Sequence, residues 1–162
     1  MRLTAEHRFA APADAVRALL VDPAFHRDLD LPDVALLEAE AGDGDGGRAA
    51  VRLRYEFVGS LDPLARRLLG RHRLTWTQHL ELDPGTGEGS LRFAADADPR
   101  RLHGRADLAV LPDDGGSVRR IDGELVVAVP VVGGSAERRI LPGLLRRLDI
   151  EARAVDRRLA GG

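Results

Sequence analysis

The C-terminal stretch constrains this chain most: Leu141, Leu144, Leu145, Leu148, Ala152, Val155 and Leu159 recur at helical spacing and draw one apolar stripe along one long helix. Such a helix cannot bury its stripe against itself, so the rest of the chain must supply an apolar partner. Ser135 stands where it can cap the helix, and Pro142, which lacks an N–H, predicts a bend or a short first segment. The remaining charges, Arg146, Arg147, Arg153, Arg157 and Arg158 with Asp149, Glu151 and Asp156, are expected on the solvated face.

The partner is written in period two. Leu3, Ala5, His7 and Phe9 alternate with Arg2, Thr4, Glu6 and Arg8, which predicts a half-buried strand over 2–9. Val51, Leu53, Tyr55 and Phe57 alternate with Arg52, Arg54 and Glu56 in the same way, so one face of the sheet is wet and the sheet antiparallel. A strand over 32–40 precedes it, joined by the turn Gly42 to Gly47, and further strands are expected at 71–82, 88–95, 102–111 and 118–129. Pro12 with Val16, Leu19 and Leu20, then Asp22-Pro23 with Phe25 and Leu29, predict two short helices after the first strand. Asp62-Pro63, Leu64, Leu68, Leu69 and Gly70 spell cap, first-turn proline and C-terminal glycine of a two-turn helix between strands, a candidate lid.

Composition narrows the function classes. The chain of 162 residues reads as one domain over 1–162, and its net charge of −2 offers no field for nucleic-acid phosphates. All its basic residues apart from histidine are arginine, a bias that looks like GC-rich codon usage. With no cysteine there is no disulfide, thiolate nucleophile or sulfur-ligated metal, and no run of about 20 apolar residues spans a membrane. A cytoplasmic protein with no cofactor and no metal is the expectation. Asp43-Gly44-Asp45-Gly46 matches part of a calcium loop, but Arg54 stands where the loop needs a carboxylate, so these residues read as a hairpin turn. No phosphate loop, nucleophile elbow or zinc-binding helix motif is present, so the sequence carries no catalytic signature.

Of five histidines, His72, His79 and His103 read as surface residues and His26 lies in a helical turn. His7 shares the register of Leu3 and Phe9 and faces inward, where an imidazole can bind a ligand oxygen, act as a base or serve as a hydrogen-bonded core residue.

The order strand, two short helices, antiparallel strands and long terminal helix resembles the α+β helix-grip fold. That fold is shared by steroidogenic lipid-transfer domains, the birch-pollen-allergen group and polyketide cyclases. The segment Gly123-Glu124-Leu125-Val126-Val127-Ala128-Val129-Pro130-Val131-Val132-Gly133, with Glu137, Glu151 and the opening strand, resembles a bacterial domain-of-unknown-function family of that START-like (SRPBCC) superfamily. The resemblance implies a curved sheet of about seven strands around the helix, with a cavity between them for an apolar or amphipathic small molecule or lipid. The expected lining is His7, Leu53, Tyr55, Trp76, Gln78, Phe93, Leu108 and Leu125, covered by Leu141, Leu145 and Leu148. Two alternatives stand beside it: a cyclase-like enzyme, and a protein-interaction domain with a filled core, including a homodimer.

Overall fold

A computed structural model describes residues 1–161; the side chain of Leu68, one of the expected lid residues, lies outside the described set. Seven strands form one antiparallel sheet: β1 (Arg2–Phe9), β2 (Val34–Asp43), β3 (Ala49–Phe57), β4 (Thr75–Leu82), β5 (Glu88–Ala95), β6 (Leu102–Asp113) and β7 (Gly116–Val127). Their spatial order is β1-β7-β6-β5-β4-β3-β2, so the first strand closes onto the last and the meander runs outward from there. Helices α1 (Ala13–Leu20) and α2 (Pro23–Arg27) follow β1, α3 (Pro63–Leu69) lies between β3 and β4, and α4 (Gly133–Ala160) ends the chain. This is the helix-grip α+β arrangement.

Local chemistry explains most boundaries. Asp22 and Asp62 cap α2 and α3 through their carboxylates, each followed by proline in the first turn, and Gly70 ends α3 at φ 60°. Asp114 and Gly115, both at positive φ, turn β6 into β7. In the β4–β5 loop the Asp83 carboxylate accepts from the backbone N–H groups of Gly85 and Thr86, while Arg17 of α1 donates to the carbonyls of Pro84, Gly85 and Val110. A Cβ at Gly87 would strike the Val110 carbonyl and that guanidinium, so only glycine fits there.

Several expectations shift, among them β6, which runs on to Asp113 instead of ending at 111, and β7, which covers Gly116–Val127 instead of 118–129. β2 continues to Asp43 because Ala41 and Asp43 go on pairing with Val51 and Ala49, and a 3-10 turn over Asp45–Gly47 makes the return. β4 begins at Thr75, not at residue 71, since the chain leaving α3 first turns, with the His72 N–H donating to the Leu69 carbonyl. α4 begins at Gly133, two residues before Ser135, with Val132 at its cap position and no side-chain cap bond, and it runs through Pro142 as one helix. The Glu137 carboxylate instead accepts from the backbone N–H of Val127, tying the first turns of α4 to the end of β7.

Candidate functional site

Strand pairing sorts the inner face into transverse rows. Tyr55, Trp76 and Ala95 form one row. Leu53, Gln78, Phe93, Gly104 and Leu125 form the next, and the missing side chain at Gly104 leaves room for the Phe93 ring. Then come Val51, Leu80, Leu91, Ala106, Gly123 and Leu3, followed by the row containing Leu108, Ile121 and Ala5, and by Val110, Arg119 and His7. The expected lining therefore separates into two groups. Leu53, Tyr55, Trp76, Gln78, Phe93 and Leu125 lie together in adjacent rows, whereas Leu108 is two rows and His7 three rows beyond Gln78.

α4 crosses these rows and marks two ends. At one end Leu148, Ala152 and Val155 are buried in the core with α1, β1 and β7. At the other, Leu141 and Leu145 are half-buried, as is Trp76, whose ring stacks on Tyr55 at 5.5 Å between centroids. Arg139 near the start of α4 pairs with the capping Asp62 of α3 at 2.8 Å, which brings the expected lid helix to this end.

A polar network threads between sheet and helix. Arg119 of β7 donates to the Glu151 carboxylate, to the Leu148 carbonyl at 3.1 Å and to His7 Nδ1 at 3.1 Å. His7 Nδ1 thus accepts, which places the imidazole proton on Nε2, 2.8 Å from Asp149 Oδ1. Both nitrogens are engaged, and burial followed by the Arg119 charge lowers the His7 pKa despite Asp149. Glu151 is pushed up by burial, yet Arg119, His26 and Arg147 together hold it below the ordinary carboxylate range. One turn earlier, Arg147 donates to Gln78 Oε1 at 2.5 Å and lies over the Tyr55 ring, 5.0 Å from its centroid. Burial pushes the Tyr55 phenol up to about 12.

Several of these residues run against expectation. Arg147 and Glu151 are buried between helix and sheet instead of lying on a solvated face. Arg119 is absent from the expected lining, although alternation puts it in register with Ile121 and Leu125. His26 is buried with Nε2 2.7 Å from the Leu20 carbonyl, and its Nδ1 has no partner. His72 and His79 are exposed, as expected of surface residues, while His103 is half-buried instead. Among the described residues no group of three His, Cys, Asp or Glu side chains is placed to hold a metal, and no helix is long and apolar enough to cross a membrane.

Two shallow concavities lie away from the helix–sheet space. One of about 400 Å³ is lined by residues that include Arg2, Arg105, Asp107, Asp122 and Glu124, and one of about 380 Å³ borders the β6–β7 turn.

The curved sheet and the long helix laid across it define the helix-grip fold, and solved structures share that fold. The protein TTHA0849 from Thermus thermophilus superposes with a TM-score of 0.66 at 16% identity over 99% of this chain and 98% of that one. The Zhui aromatase/cyclase from Streptomyces sp. R1128 gives 0.60 at 19% identity over 96% and 90%. A START superfamily protein from Mycobacterium smegmatis gives 0.58 at 13% identity over 99% and 97%. A search of the curated proteins finds no match. The chain belongs to the family described as "Protein of unknown function (DUF2505)", which matches residues 4–159.

Proposed function

We propose that the domain binds an apolar or amphipathic small molecule between the sheet and α4, at the end floored by Tyr55, Trp76, Gln78 and Phe93 and covered by Leu141 and Leu145. The observation that carries this reading is the incomplete closure of that end. Trp76, Leu141 and Leu145 are only half-buried, while Leu53, Tyr55 and Leu125 beneath them are fully closed off. An apolar ligand completing the cover would gain ~25 cal/mol for each Å² it removes from water, less the cost of ordering. The fold is one that an aromatase/cyclase and a START superfamily protein also use, which supports a small-molecule role by analogy.

The enzyme alternative finds no free base in His7, whose nitrogens face Arg119 and Asp149. The filled-core alternative draws on the depth of closure at Leu53, Tyr55 and Leu125. Native mass spectrometry of gently purified protein separates the readings. A reproducible mass above that of the denatured chain supports a bound small molecule, while a bare chain that also ignores a broad apolar library supports the filled core.

A further inference from the structure

The buried space between sheet and helix holds an unbalanced charge. Arg119, Arg147 and Glu151 are 2%, 9% and 8% exposed. The single carboxylate is committed to Arg119, so two guanidiniums face one anion before either nearby histidine is counted. A buried charge is costly unless a partner offsets it.

Arg147 carries the imbalance. Among the described residues it donates to the neutral amide oxygen of Gln78 and lies beside the neutral Tyr55 hydroxyl, and no carboxylate stands within 4.0 Å of it. A guanidinium has five N–H donors, so most of those on Arg147 lack a protein acceptor. Arg119 Nε is enclosed without a partner, whereas no nitrogen of Arg147 is both enclosed and orphaned, so its free nitrogens keep some contact with solvent. The guanidinium lies over the Tyr55 ring, on which the half-buried Trp76 stacks. The Tyr55 phenol, held protonated up to about 12, supplies no competing negative charge there.

We propose that the ligand is an amphipathic carboxylic acid, its carboxylate anchored on the Arg147 guanidinium and its apolar chain lying toward Trp76, Leu141 and Leu145. The inference rests on the binding reading above and names its ligand class. A carboxylate matches the paired N–H geometry of arginine and restores neutrality to the buried set.

The test titrates the protein with decanoate and with 1-decanol at neutral pH, following heat and the emission of Trp76, the chain's one tryptophan. Wild type is expected to bind decanoate at least about tenfold more tightly than decanol, a difference of about 1.4 kcal/mol. Arg147→Met is expected to lose the preference while keeping its affinity for decanol. The Nε–H resonance of Arg147 should move with decanoate and stay with decanol, a readout on wild type that decides the matter even if the variant does not fold. Equal affinity of wild type for the two probes overturns the acid assignment and leaves the binding reading intact. A preference that survives in Arg147→Met, or an unmoved resonance, overturns the role of Arg147. If neither probe binds, both readings fall.

Discussion

The two ends of the groove use arginine in opposite ways. At the β1–β7 end Arg119 is matched by Glu151, the Leu148 carbonyl and His7, and the apolar residues around it are closed. At the β3–β5 end Arg147 has an amide oxygen and an aromatic face, and Trp76, stacked on that Tyr55 ring, is half open. The first arrangement locks the helix to the sheet. The second leaves polar and apolar capacity unused side by side, which is what a site for an amphipathic molecule requires.

The largest effect expected is at the locked end. Glu151→Leu strands Arg119 in the interior and should cost about 3–5 kcal/mol in chemical denaturation, whereas Arg119→Met combined with Glu151→Leu should recover most of that loss. A double variant as unstable as the single one would show that the pair does more than neutralise charge. Leu148→Ala, at a fully packed position, should cost about 2–5 kcal/mol, and Leu145→Ala at the open end less than half of the Leu148 value. Equal losses would erase the distinction between the ends.

Acid should act through the locked end. His7 has a folded pKa below its ordinary 6.5, so the unfolded chain binds the proton first and stability falls as pH drops from about 6.5 toward the folded value. Glu151, also depressed, is protonated first in the unfolded chain, so a second loss begins as pH falls below its ordinary 4.5 and continues through its folded pKa. Denaturation midpoints across this range should show the upper loss vanish in His7→Gln. The smallest effect is expected from Trp76→Leu, about 1 kcal/mol from the lost stack on Tyr55, yet this substitution should weaken apolar ligands more than any change at the locked end.

The frame is legible in the sequence wherever periodicity is local. Alternation predicts strand 88–95 with the bounds that β5 has, and the Asp62-Pro63 to Gly70 signals delimit α3. The inward groups of β3 and β4, including Tyr55, Trp76 and Gln78, follow from alternation alone. The buried charges are harder. Glu151 stands three residues after Leu148 and four before Val155, a stripe position, but its charge argues for water until Arg119 on a distant strand neutralises it. Arg147 lies beside Leu148 at the stripe's edge, and only Gln78, far away in sequence, draws it inward. Register turns His7 inward, as the structure has it, yet its partners Arg119 and Asp149 come from β7 and α4, so its ring chemistry depends on contacts no local pattern encodes.

The most direct test of the two-ended groove is backbone hydrogen exchange with and without decanoate. Protection gained in β3, β4 and the part of α4 around Leu141 to Arg147, with the His7 and Arg119 segments unchanged, is the predicted result. No change anywhere, or protection confined to β1, β7 and the end of α4, would contradict it.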